Sequence, residues 1–129
     1  MKGWIALLLF GLPMFATAQE PAVDEETRFP QQLSAAELQH ACAASALSDV
    51  GRQRRRFCTG FISGVEEGVR ILQLQHRMEP SICMPQRVSS RVLNEVFVKY
   101  TAQRQQSLKR PAAEVVLEAF ALEYPCQDG

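Results

Sequence analysis

Four cysteines, Cys42, Cys58, Cys83 and Cys126, limit what this chain can fold into more than any other feature. They are spaced 16, 25 and 43 residues apart, with no Cys-x-x-Cys pair and no Cys/His cluster of zinc-ligand type. An even number of cysteines in a short exported chain reads as a disulfide framework, not as a metal centre or a redox dithiol. Export is read from the N-terminus. Lys2 supplies a positive start, Trp4 to Phe15 carry no charge, and Ala16-Thr17-Ala18 present the small-x-small pattern of a signal-peptidase site. The apolar stretch is well short of the roughly 20 residues that a spanning helix needs. Residues 1–18 are therefore expected to be a signal peptide cut after Ala18.

Cleavage leaves 111 of the 129 residues, enough for one domain. No second long apolar stretch follows, so the mature chain is expected to be soluble, with no membrane attachment. Loss of Lys2 turns fourteen basic and fourteen acidic residues into a formal charge of −1. That balance argues against a surface built for nucleic acid or anionic lipid.

Residues 19–33 are acidic, carry two prolines and lack periodicity, which predicts a flexible lead-in. A domain over 34–129 follows. Ser34 and Glu37 form a capping box, with Leu33 and Leu38 at the staple positions. The first helix is expected to run to about Ser48, broken by Asp49-Val50-Gly51. The second should span Gln53 to Arg77, with Phe57, Phe61, Val65, Val69 and Leu72 on its apolar face and Cys58 and Ile62 beside them. Gly60, Gly64 and Gly68 recur every four residues along it. Each costs about 1 kcal/mol against alanine inside a helix, so the stripe predicts close approach by another helix. Ser89 caps a third helix running to about Arg104, with Val92, Leu93, Val96, Phe97 and Tyr100 in its stripe. Pro111 opens a fourth, with Ala112, Val115, Val116, Ala119 and Phe120 facing the core. No strand pattern or repeat competes. The fold class is all-α, a small disulfide-stapled domain resembling a four-helix bundle.

If the first two helices fold back around residues 49–51, Cys42 and Cys58 come level. Cys83 before the third helix likewise meets Cys126 beyond the fourth. The predicted pairs are Cys42–Cys58 and Cys83–Cys126, although the spacing alone leaves two other connectivities open.

Groups able to do chemistry are few. His40 and His76 are the only histidines and stand in no metal-binding motif. Glu66 and Glu67 point about 100° apart on a helix, so they read as a solvated face and not as an acid/base pair. No nucleophile elbow, phosphate loop or nucleotide fingerprint occurs. No catalytic residue, metal or cofactor is expected. The run Arg52-Gln53-Arg54-Arg55-Arg56 opposes the helix dipole if it opens the second helix. A solvent-facing basic turn is the simpler reading; an acidic partner, or a pairing with Glu25-Glu26, is the alternative.

The order of motifs is nonetheless distinctive. Phe57-Cys58-x-Gly60-Phe61-x-x-Gly64-Val65, then Cys83-x-Pro85, a helix ending in Tyr100, Pro111-Ala112 and Tyr124-Pro125-Cys126 together resemble the Rap/Tai immunity family of type VI secretion. The resemblance covers roughly residues 38–126. It implies a periplasmic antitoxin that binds and blocks a cognate secreted effector, a peptidoglycan amidase in the best understood members. It also implies a homodimer whose loop and helix residues plug the effector's cleft. The shared motifs belong to the scaffold, so no contact residue carries over. The polar connections 77–86 and 103–110 are the expected contact loops, with Arg77, Glu79, Gln86, Arg104, Lys109 and Arg110 as their candidate partner-binding residues.

Two other readings compete. A small acid-activated periplasmic chaperone would suit the acidic content and helical body, but two disulfides restrain the opening it needs. An orphan envelope-binding or assembly subunit is the other.

Overall fold

The structure, a computed structural model, describes residues 32–127. The expected signal peptide over 1–18, its cut after Ala18 and nearly all of the acidic lead-in lie outside the described residues. Four α-helices follow in order: α1 (Ala35–Cys42), α2 (Asp49–Leu74), α3 (Ser90–Gln103) and α4 (Ala112–Glu123), with a 3-10 turn over Gln105–Lys109 between the last two. No β-strand forms among the described residues; two isolated bridges join Ser34 to Pro111 and Ile82 to Pro125. No helix among them is long and apolar enough to cross a membrane.

The capping box forms as expected. Glu37 N–H donates to Ser34 Oγ at 3.3 Å, and Ser34 N–H donates to Glu37 Oε2 at 2.9 Å. The far end of α1 differs, since it stops at Cys42 instead of continuing to Ser48. Ser48 is itself an N-cap, accepting from Gly51 N–H at 3.0 Å, and Asp49 places its carboxylate in the first turn of α2. Asp49-Val50-Gly51 therefore begins the second helix and does not break the first. The glycine serves close approach: a Cβ on Gly51 would lie 1.8 Å from the Ser45 carbonyl oxygen. With α2 starting this early, Arg54, Arg55 and Arg56 fall in its second turn, largely beyond the reach of the dipole. Arg52 pairs with Asp49. The electrostatic cost expected of the run does not arise.

The other end of α2 also comes sooner than expected, at Leu74. His76 adopts φ 53° there. Its N–H donates to Gln73 O at 3.0 Å, and Arg77 N–H donates to Leu72 O at 2.9 Å. These two bonds make a Schellman motif with histidine in the left-handed position usually taken by glycine.

The core is built from Leu38, Ile62, Phe97, Val115, Val116 and Phe120, all fully buried, with Cys58 and Leu93 among them. The five positions expected on the inner face of α4 are all buried. On α2 the buried line is Cys58, Ile62 and Val69, while Phe57 and Leu72, expected inside, are each 41% exposed. Val92 of α3 also faces outward, and Thr101 is buried in that helix. The Thr101 hydroxyl donates to Phe97 O at 3.0 Å and accepts from Gln39 Nε2 at 3.0 Å, which makes its burial tolerable.

Both disulfides form as predicted. Cys42–Cys58 ties α1 to α2 with Cα atoms 5.1 Å apart, and Cys83–Cys126 ties the α2–α3 connection to the chain beyond α4 at 4.8 Å. The starts of α1 and α4 also brace each other. Ala35 N–H donates to Arg110 O at 2.9 Å, and Ala112 N–H donates to Leu33 O at 2.8 Å. Each helix thus finds an acceptor for an orphan amide on the segment leading into the other.

Candidate functional site

The two polar connections are held at many points. In the segment between α2 and α3, Gln73 Nε2 donates to Ile82 O and Arg70 Nη2 to Pro85 O, each at 2.8 Å. Cys83 N–H donates to Tyr124 O at 2.8 Å beside the Cys83–Cys126 bridge. Glu66, expected on a solvated face, is largely covered and pairs with Arg70. It thereby aims the arginine at the loop, while Glu67 remains exposed. Arg77, Glu79 and Gln86 sit on this segment with their side chains exposed.

The segment after α3 is a 3-10 turn whose Ser107 is buried, its hydroxyl donating to Arg104 O at 2.7 Å. Two of the three residues singled out here are engaged within the fold. The Arg104 guanidinium carbon lies 4.5 Å from the Tyr100 ring centroid, a cation–π contact. Arg110 grips Glu118 with both Nη atoms, at 2.8 and 2.7 Å, and reaches Glu114 at 3.3 Å. The Tyr100 hydroxyl donates to Glu118 at 2.9 Å, which closes the network. The hydrogen bond from Arg110, reinforced by that from Tyr100 and opposed by partial burial, holds the Glu118 carboxyl below its usual range. Burial, then the bond to Glu118, pushes the Tyr100 hydroxyl up. Only Lys109 stands exposed outside this network.

The two segments approach each other at Glu118: Arg110 holds its carboxylate, and Glu118 lines a shallow cleft together with Met78 and Ser81 of the first segment.

The glycine stripe of α2 gives the main surprise. A Cβ on Gly60, Gly64 or Gly68 would meet nothing within 4 Å. Among the described residues, then, no helix of this chain approaches the stripe, contrary to expectation. α2 packs through the opposite line of Cys58, Ile62 and Val69. The stripe faces outward beside Phe57, Ile71 and Leu72, which are 41%, 53% and 41% exposed.

His40 and His76 are both exposed, and among the described residues no group of three or more His, Cys, Asp or Glu side chains is placed to hold a metal. What the geometry offers is a stapled helical body with pinned loops and an apolar outer face on its longest helix.

A family model for Rap1a immunity proteins matches residues 34–126. That span begins at the Ser34 cap and ends at Cys126, so it takes in every helix and both bridges. The chain belongs to the Rap1a immunity proteins. No curated protein and no solved structure matches it. Membership in an immunity family implies action against a type VI effector through binding, and a rigid body suits that role. Little conformational freedom is lost on association when the surface is already held in place.

Proposed function

We propose that the mature chain is a periplasmic antitoxin, released by cleavage after Ala18, that neutralises a peptidoglycan amidase delivered by type VI secretion. The observation carrying this reading is the family match across all four helices and both bridges. Two disulfides support an oxidising compartment, and the uncharged stretch from Trp4 to Phe15 supports export. The contact loops are the pinned segments 77–86 and 103–110, with Arg77, Glu79, Gln86 and Lys109 presented outward. Arg104 and Arg110 act mainly by holding the turn in shape.

The antitoxin works as a homodimer, and the outer face of α2 supports this. Phe57 and Gly60 stand seven and four residues before Gly64, and Gly68 and Ile71 stand four and seven after it. The stripe is therefore self-complementary about Gly64. A two-fold axis there would lay two copies of α2 antiparallel, Phe57 of each beside Ile71 of the other, in an isologous interface. Light scattering of the purified chain should give the mass of two copies, and Gly64→Glu should give one.

The antitoxin reading is tested in cells. A strain lacking the gene should be killed by its own parent on contact, and protection should return with the full chain but not with residues 19–129 kept in the cytoplasm. Full survival of the deleted strain would overturn the reading.

A further inference from the structure

A groove of about 500 Å³ runs between α2 and α3. Its floor is one face of α3, where Ser90, Asn94, Val98 and Ala102 recur every four residues. These small side chains keep the groove open along twelve residues of helix, about 18 Å at 1.5 Å per residue.

Charge sets it apart from the rest of the surface. Three cations line it, Arg55 from α2 and Arg91 and Lys99 from α3, against the single carboxylate of Glu95. Glu95 is taken by Arg91 at 3.1 Å. Lys99 has only a loose contact with Glu123 at 3.9 Å, and Arg55 joins none of the ion pairs among the described residues. Arg55 thus faces the groove unpaired, and Lys99 stands on the rim between this groove and the α3–α4 cleft, tied only loosely to Glu123. Beneath them, Asn94 Nδ2 donates to Thr59 Oγ1 at 2.9 Å, while Asn94 Oδ1 is buried with no partner. A buried acceptor left without a donor is unfavourable, and among the described residues Asn94 Oδ1 is the buried side-chain atom in that position.

We propose that this groove docks an extended acidic segment of the effector, with a carboxylate held between Arg55 and Lys99. The proposal rests on the antitoxin reading above. A length of about 18 Å takes roughly five extended residues at 3.3 Å each. Opposite charge in such a cleft speeds encounter and fixes the orientation of the bound segment. Arg54 and Arg56, exposed on either side of Arg55 along α2, add positive charge near it.

The test is contact killing by the parent strain, with recipients carrying no copy, the wild-type chain, the double variant Arg55→Glu/Lys99→Glu, or Arg87→Glu, an exposed position outside the groove and outside both contact loops. All chains are matched for periplasmic level and melting temperature. The double variant is expected to lose protection at least tenfold while Arg87→Glu keeps it. Full protection by the double variant, in recipients that die without the gene, overturns the groove and leaves the antitoxin reading standing. Survival without any copy overturns both. A change in the solution mass of the double variant would assign the groove to a second copy and likewise overturn the proposal.

Discussion

The Ser45 carbonyl occupies the space where a side chain on Gly51 would begin, 1.8 Å from the position of its Cβ. Ser45 lies in the connection between two helices that the Cys42–Cys58 bridge also clamps, so the carbonyl cannot simply swing away. Gly51→Ala is expected to destabilise the chain by about 3 kcal/mol through overpacking. Gly60→Ala, with nothing nearby, should stabilise the monomer by up to about 1 kcal/mol. Chemical denaturation of the two variants at low protein concentration checks the opposite signs.

His76 holds a left-handed backbone at the end of α2. A side chain there costs roughly 1–2 kcal/mol that glycine does not incur. His76→Gly should raise stability by about 1 kcal/mol, read as an upward shift in melting temperature. A drop would mean that the histidine side chain makes a contact worth more than the strain.

Acidification should weaken the fold through its carboxylates. Glu118 is held below its usual range first by the hydrogen bond from Arg110, and Glu37 by the Ser34 hydroxyl. Because both folded values are depressed, the stabilisation is complete above the unfolded carboxylate value, about 4.3. It is lost as pH falls through the folded values. Melting temperature against pH should decline below about pH 4.5, and Glu118→Gln should flatten part of that decline while lowering the neutral-pH plateau only slightly, as expected of exposed pairs.

The two bridges should differ in what they protect. Each loop closure contributes roughly 3–4 kcal/mol in the chain-entropy model. Cys83→Ala/Cys126→Ala should additionally free the segment 77–86, with faster hydrogen exchange at the Cys83 amide, which is bonded to Tyr124 O. Cys42→Ala/Cys58→Ala should leave that amide protected relative to global unfolding.

Much of the fold was legible because it is written in local chemistry. The Ser34/Glu37 cap, the inner face of α4 and the cysteine pairing follow from spacing and folding back, and all three appear as expected. The boundary between α1 and α2 was misread because glycine after aspartate resembles a turn. Here Ser48 is the better cap, and the glycine answers to a backbone six residues away. The glycine stripe is expected to receive another helix, yet within the described chain a Cβ on any of the three glycines would meet nothing within 4 Å. Periodicity finds an apolar face but does not say whether the chain itself covers it. The role of Arg110 was hidden, because Tyr100 and Glu118 meet only through the packing of α3 on α4, whereas the Tyr100–Arg104 contact lies at a spacing of four residues that the sequence displays. The α2–α3 groove left only a trace in the sequence, the arginine run, because its floor joins residues that are scarcely hydrophobic.

The reciprocal bonds between the lead-ins of α1 and α4 have a consequence for how the molecule is born. α1 borrows an acceptor from Arg110, and Cys83 waits for a mate that lies beyond α4. α1 stays unlatched until the segment leading into α4 has been made. A product ending before Arg110 would lack that latch and one staple together, so such incomplete copies should be eliminated and not accumulate as half-working decoys.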